Sequence, residues 1–171
     1  QKGGNNKIIP VVRQWMKDYK IPAYDEDRGT GIVRHIMGRT GVHSGEIMVC
    51  IVTAVPMVPH MKELVQMLRK DVPGLTSVIQ NINSRHTNVI LGNKTKVVYG
   101  SPTISDSIGD LSFRISAQSF FQVNSEQAQK LYDTALSYAA LKGNETVVDG
   151  YCGTGTITLF LAKSAKFAYG I

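Results

Sequence analysis

Residues that could hold a nucleotide-like ligand lie close together near the end of the chain. Asp149 follows a short apolar run, Thr146–Val148, and Gly-Tyr-Cys then leads into Gly153-Thr154-Gly155. Glycine lets the backbone come close to a ligand that a Cβ atom would keep away. An acid at a strand end can accept a hydrogen bond from a ligand amine or hydroxyl. We therefore interpret the stretch as a binding turn, the alternative being a tight structural turn without a ligand.

The elements around this turn have the order needed to position it. Apolar residues after Gly155 recur at helical spacing, so strand, glycine turn and helix form the first half of a nucleotide-binding βα unit. The N–H groups at the start of such a helix can hold a negative group. Ala168–Ile171 reads as a second strand. One βαβ unit cannot bury both faces of its strands, so we expect more of a parallel sheet outside these residues.

A mixed polar and aromatic segment precedes this unit. Phe120 and Phe121 stand in SFFQVN, and Asn124 is predicted to cap the helix that follows, with Gln127 completing a capping-box pattern. We expect Gly143 to end this helix. Its predicted buried stripe is Ala128, Leu131, Tyr132, Ala135, Leu136 and Ala139.

The earlier part of the chain alternates helical and strand patterns. We predict a helix with Pro10 in its first turn and Trp15 in the core, and a fully apolar strand around Cys50 that is central in its sheet. The predicted elements are a helix at Lys7–Tyr19, strands at Gly31–Arg39 and Glu46–Val55 joined as a hairpin, a helix at Pro59–Lys70, a strand at Leu75–Ile82, a second hairpin of Asn88–Leu91 with Lys96–Tyr99, and a strand at Leu111–Ser116. This is an α+β domain with mostly antiparallel strands.

Composition and charge limit the classes of function that the chain can have. The chain has 171 residues, a hydrophobic content of 43% and a formal net charge of +6. Residues 1–100 carry 14 Lys and Arg against 7 Asp and Glu, so the positive charge belongs to the N-terminal part. We find no signal peptide and no apolar stretch long enough for a membrane span. Two cysteines make no disulfide framework and favour a reducing, cytoplasmic setting without a disulfide-linked partner.

An excess of positive charge indicates a polyanionic partner, or a merely solvated basic face. The candidate phosphate contacts lie on the first predicted strand and on the second predicted helix. They are Arg34, His35, Arg39, Lys62, Arg69 and Lys70. We predict no metal site.

The motifs together resemble the S-adenosylmethionine-dependent RNA uracil-5-methyltransferases, and the bacterial 23S rRNA enzymes among them most. SFFQVN, a capped helix, ETVVDGYCGTGTITLFLA and a closing YGI carry the resemblance, with PAYDEDRGTGIVRHIMGRTGVHSGEIMVCIVT and SVIQNIN earlier in the chain. It implies an α/β and α+β organisation: a central, RNA-facing α+β domain over residues 1–116 and the first part of a Rossmann-like methyltransferase domain over residues 117–171.

The resemblance also implies site residues. Gln122 and Tyr151 match contacts to S-adenosylmethionine, and Asp149, Gly153 and Gly155 line the same turn. Gly150 departs from the family, which has a larger apolar residue there. The family's nucleophilic cysteine and its general base lie far downstream of the glycine turn, so we expect no catalytic residue within this chain.

The expected function is therefore methyl transfer to carbon 5 of uridine in RNA, with 23S rRNA favoured, by a parent enzyme of which this chain is a part. One alternative is a non-catalytic RNA-binding module that retains a vestigial cofactor fold. A nicotinamide-dependent dehydrogenase is disfavoured because Ile157–Thr158 stands where G-x-G-x-x-G needs its third glycine.

Overall fold

The computed structural model describes residues 5–122 and 124–171, so Val123 of the FFQVN motif lies outside the described residues. The chain divides into two compact units. The described residues up to Ser105, together with Ser116–Gln118, form the first unit, and Asp106–Ile115 with Ser119–Ile171 form the second. This division differs from the predicted boundary at residue 116, because Asp106–Ile115 belongs to the second unit and Ser116–Gln118 to the first.

A four-stranded mixed sheet forms the centre of the first unit. The strands are β1 (Val33–Thr40), β2 (Ile47–Thr53), β3 (Leu75–Ile82) and β4 (Lys94–Gly100), in the order β1-β2-β3-β4. β1 and β2 pair antiparallel, as the predicted hairpin requires, whereas β2 and β3 are parallel. Every residue of β2 is buried, which confirms the prediction of a central strand.

Two helices supply most of the remaining core residues of this unit. They are α1 (Asn5–Asp18) and α2 (Met61–Asp71), and α2 makes the crossover between the parallel strands β2 and β3. Trp15 is fully buried, as predicted, and its indole N–H donates to the carbonyl of His60 at 2.8 Å.

Both helix starts differ from the prediction. Pro10 is the sixth residue of α1 rather than a first-turn residue. α2 begins at Met61 rather than Pro59, because His60 takes a left-handed conformation with φ 59°. The carbonyl of His60 accepts from Trp15, and its ring stacks on Tyr19 at 4.4 Å, so tertiary contacts account for this local conformation.

The predicted second hairpin is wrong. No strand forms over residues 88–91, and β4 pairs antiparallel with β3 instead. Buried amide side chains take the place of a partner strand: Asn81 exchanges hydrogen bonds with the carbonyl and N–H of Gly92 at 2.9 and 2.7 Å. The backbone of Gly92 approaches β3 so closely that a Cβ atom would lie 2.0 Å from the carbonyl oxygen of Ile82.

The second unit contains a βαβ unit preceded by a helix. Its elements are most of the two-stranded sheet of β5 (Thr103–Ile108) and β6 (Leu111–Ser116), then α3 (Ser125–Ala139), β7 (Thr146–Asp149), α4 (Thr156–Ala162) and β8 (Phe167–Gly170). β5 was not predicted. β7 and β8 pair parallel across α4, as the sequence predicted.

The cap of α3 is confirmed, since the side chain of Asn124 accepts a hydrogen bond from the N–H of Gln127 at 3.1 Å. Its end is not the predicted one: Ala140 takes the left-handed position, with φ 46°, before Gly143 is reached. The predicted stripe is only partly buried, because Leu131 is 59% exposed. Among the described residues, no helix is both long and apolar enough to cross a membrane.

Candidate cofactor-binding turn

The glycine turn between β7 and α4 has left-handed backbone at both predicted glycines. Gly153 has φ 55° and Gly155, which caps α4, has φ 77°. L-amino acids with a side chain rarely adopt this region, so the turn needs glycine there. A Cβ atom at either position would meet nothing within 4 Å, so open space lies against the backbone of the turn.

Asp149 holds the start of this turn. One carboxylate oxygen accepts from the N–H of Tyr151 at 3.2 Å, and the other accepts from the hydroxyl of Thr158 at 2.6 Å. The acid therefore ties the strand end to the first turn of α4. Each oxygen keeps a second acceptor position, so a ligand hydroxyl or amine can still be bound.

The FFQ segment lies directly against the turn. The hydroxyl of Thr154 donates to the carbonyl of Phe120 at 3.1 Å. This bond joins the two motifs that the sequence predicted as one site, although 34 residues separate the partners. Gln122 is half-buried two residues along, and Tyr151 is fully exposed on the turn itself.

Tyr132 of α3 supports the helix that follows the turn. Tyr132 is buried, its hydroxyl lies 3.0 Å from that of Thr156, and its ring lies 5.1 Å from that of Phe160. These contacts fix the beginning of α4 on α3. The glycine turn is thus fixed at its start by Asp149, and the helix after it is fixed by the packing of Tyr132 against Phe160.

Neither cysteine has the setting of a nucleophile. Cys50 is fully buried in β2, and burial raises the pKa of its thiol to about 11 against the weaker opposing effect of Arg39. Cys152 is half-buried in the turn, where its side chain packs against the backbone of Gly170: a Cβ atom there would lie 2.9 Å from the Cys152 sulfur.

The candidate RNA contacts differ in how far their side chains are exposed and free to bind phosphate. The side chain of Arg34 is only 1% exposed and is bound internally, so it offers little surface to phosphate. Arg39 is half-buried, donates to the carbonyl of Ala117, and has its pKa lowered by desolvation. His35 lines an open depression, and the three basic residues of α2 are exposed. These three are Lys62, Arg69 and Lys70.

The sequence interpretation missed the two threonines that tie the site together. Thr154 binds the FFQ segment and Thr158 binds Asp149. The available signal was the alternation of threonine in G-T-G-T-I-T, which places hydroxyl groups within and just after the glycine turn. Their partners are fixed by tertiary structure, which that pattern does not contain.

Comparison with known proteins finds relatives that share one description. No model of a protein family matches the chain. It is 48% identical over 167 residues to a protein of Halalkalibacterium halodurans named an uncharacterized RNA methyltransferase, covering 98% of this chain and 36% of that protein. A protein of the same description from Clostridium acetobutylicum is 48% identical over 171 residues, covering 100% of this chain and 37% of its own length. The chain thus spans just over a third of the length of these curated relatives.

Among solved structures, the chain resembles the Pyrococcus abyssi tRNA (uracil-54, C5)-methyltransferase in complex with S-adenosyl-L-homocysteine. The TM-score is 0.74 at 24% identity, over 92% of this chain and 37% of that one. At this identity the likeness shows that the two share a fold.

Proposed function

We propose that this chain is part of an RNA methyltransferase that moves a methyl group from S-adenosylmethionine to carbon 5 of a uridine, with 23S rRNA as the favoured substrate. Relatives at 48% identity are named RNA methyltransferases, which supports the reaction class. The fold shared with a uracil-C5 methyltransferase supports the target atom. The ribosomal substrate rests on the motif resemblance alone.

One observation carries the cofactor site: the hydrogen bond from Thr154 to the carbonyl of Phe120, 3.1 Å long. It brings the segment of Gln122 to the glycine turn of Tyr151. A binding turn for a nucleoside needs backbone that a ligand can approach, and Gly153 and Gly155 leave that space. The residues present therefore fit S-adenosylmethionine, whose sulfonium supplies the methyl group when bound.

The chain's own residues have distinct parts in this proposal. The exposed ring of Tyr151 and the amide of Gln122 contact the cofactor, while Asp149 holds the turn in shape and offers its remaining acceptor positions. Gly153 and Gly155 keep side-chain atoms out of the ligand's space. The exposed basic side chains of α2 attract the RNA backbone.

We infer that the nucleophile lies outside these residues. Addition to carbon 6 of uracil needs a thiolate, and Cys50, with its pKa near 11 and no exposed surface, stays protonated at neutral pH. Cys152 is half-buried within the glycine turn, with its side chain against Gly170. The 171-residue chain alone is therefore expected to form no adduct with 5-fluorouridine RNA and to transfer no methyl group.

Calorimetry of the parent protein with S-adenosylhomocysteine tests the cofactor site. Tyr151→Ala should weaken binding about fivefold or more, since aromatic contacts to a base contribute roughly 1–3 kcal/mol. Tyr138→Ala is the matched control, because Tyr138 is also exposed, at 84%, but lies on α3. Equal affinities of the two variants would contradict the assignment of Tyr151.

A tritiated-methyl assay with the parent protein tests the reaction. Unmodified 23S rRNA should accept label at carbon 5 of uridine, and tRNA should accept far less. Label on tRNA alone would overturn the ribosomal substrate but not the reaction. RNA binding without any binding of S-adenosylhomocysteine would support the RNA-binding module instead.

A further inference from the structure

A buried arginine binds the backbone of an exposed segment of the first unit. The segment is residues 83–92, between β3 and β4, and is called the 83–92 loop below. The guanidinium of Arg34 donates to the carbonyls of Asn83, Arg85 and Thr87 at 3.0, 2.6 and 3.0 Å. It also makes a two-oxygen ion pair with Glu26 at 3.0 and 2.9 Å. One buried side chain thus binds the carbonyl of every second residue from 83 to 87 in a surface loop.

Two buried amides hold the rest of this loop. The side chain of Asn83, 2% exposed, donates to the carbonyl of Val89 at 2.7 Å. Asn81, with no exposed surface, binds both the carbonyl and the N–H of Gly92. The loop has no regular secondary structure, yet its backbone is anchored along its whole length. Such anchoring lowers the entropy that a loop loses when it binds a partner.

The side chains that this backbone presents are unusual for an unpartnered loop. Val89 and Ile90 are 59% and 52% exposed, and the same loop carries the exposed Arg85 and His86. Beside them lies an open depression of about 430 Å³. Its lining residues are Glu26, His35, His86, Thr87 and Asn88.

This lining suits a neutral planar ring with a hydrogen-bonding edge. Imidazole rings stack on bases, and amide, hydroxyl and carboxylate groups bind base edges. A phosphate fits less well, because the lining residues include Glu26 and neither lysine nor arginine. Bases within a duplex are stacked and paired, so only an unpaired base can enter.

We propose that the 83–92 loop and the depression beside it form a preformed seat for an unpaired nucleobase of RNA, separate from the cofactor turn. The inference rests on the proposed function for its choice of RNA as the partner. The seat selects RNA with open loops or single strands, whereas the basic residues of α2 attract any RNA backbone.

Fluorescence anisotropy with the full chain tests this seat. Two labelled RNAs of equal phosphate number serve as probes, one a hairpin with a wide unpaired loop and the other a fully paired duplex. The hairpin should bind at least about fivefold more tightly, since base stacking on a side chain has an effect of this size or larger. His86→Ala should remove most of that preference and leave duplex affinity unchanged.

Two further variants separate the seat from general RNA attraction. Val89→Ser with Ile90→Ser should also remove the preference, whereas Met57→Ser, at a residue 86% exposed elsewhere in the same unit, should not. Arg34→Lys keeps the charge but cannot bind three carbonyls and a carboxylate together, so the preference should fall with duplex affinity unchanged. Circular dichroism checks that each variant is folded. If Arg34→Lys does not fold, the result for His86→Ala decides the outcome.

Equal affinity for the two RNAs, no RNA binding at all, or a preference that survives both His86→Ala and the double serine variant would each overturn the seat. The proposed function fails by a different measurement, the absence of S-adenosylhomocysteine binding. A chain that binds S-adenosylhomocysteine but shows no hairpin preference would retain the proposed function and lose this inference.

Discussion

Cys50 shows how one side chain makes stability depend on pH. Burial raises the pKa of its thiol from 9.0 to about 11, so the unfolded chain loses this proton first as the pH rises. The contribution to stability is therefore complete below pH 9.0 and declines up to about pH 11. We expect this thiol to lower the free energy of unfolding by at most about 1.4 kcal/mol per pH unit in that window.

Urea unfolding across this pH range measures the effect. Cys50→Ala is the comparison: it leaves a small cavity and lowers stability at every pH, but its curve should lack the additional decline. Parallel curves for the two proteins would show that the folded-state pKa is not raised. Native alkylation near neutral pH should accordingly spare Cys50.

At the scale of elements, the close approach of Gly92 to β3 is the most sensitive contact of the loop. Gly92→Ala would place a Cβ atom 2.0 Å from the carbonyl of Ile82, where neither backbone can yield without loss of the β3–β4 register. We expect a loss of about 1–3 kcal/mol in the free energy of unfolding, as for other overpacked sites. Thermal or urea unfolding gives this value.

Gly150→Ala is the matched control for this substitution. A Cβ atom at Gly150 meets nothing within 4 Å and its backbone is not left-handed. The change should be neutral or stabilise by about 0.5–1 kcal/mol, because alanine restricts the unfolded chain more than glycine does. Equal losses in the two variants would mean that contact with Ile82 is not the cause.

Elements with strong local signals could be predicted from the sequence, and those fixed by distant contacts could not. The apolar run of β2 and the Asn124 cap of α3 are readable in a short window. The partner of β4 is not, since Asn81 of β3 and Asn83 after it bind the intervening loop through side chains whose partners the sequence does not show. Likewise, the glycine turn between a strand and a helix was predicted, but its link from Thr154 to Phe120 requires the folded chain.

For the whole molecule, the uneven distribution of charge predicts how RNA binding responds to salt. The net charge of +7 on residues 1–100 should make affinity fall with added salt, with a logarithmic slope of about −0.7 per phosphate neutralised on single strands. Replacing Lys62, Arg69 and Lys70 by alanine should make the slope shallower. Anisotropy titrations of a uridine-rich oligomer at several salt concentrations measure it.

A matched triple variant of the second unit is the control. Lys130, Lys142 and Lys166 are exposed and lie outside the basic region, so their replacement removes the same charge. If both triple variants change the slope equally, net charge rather than the surface of α2 governs binding. Binding that does not depend on salt would contradict the phosphate contacts altogether.

The outermost position of β4 bears on the solubility of the chain. An end strand with unpaired N–H and carbonyl groups is a template on which a second chain can add a strand and begin to aggregate. β4 begins with Lys94-Thr95-Lys96, all exposed, and two ammonium groups so close together oppose the approach of an identical edge. These lysines thus have a protective role, which conditions that neutralise or acetylate them would remove even though every contact of the folded unit stayed in place.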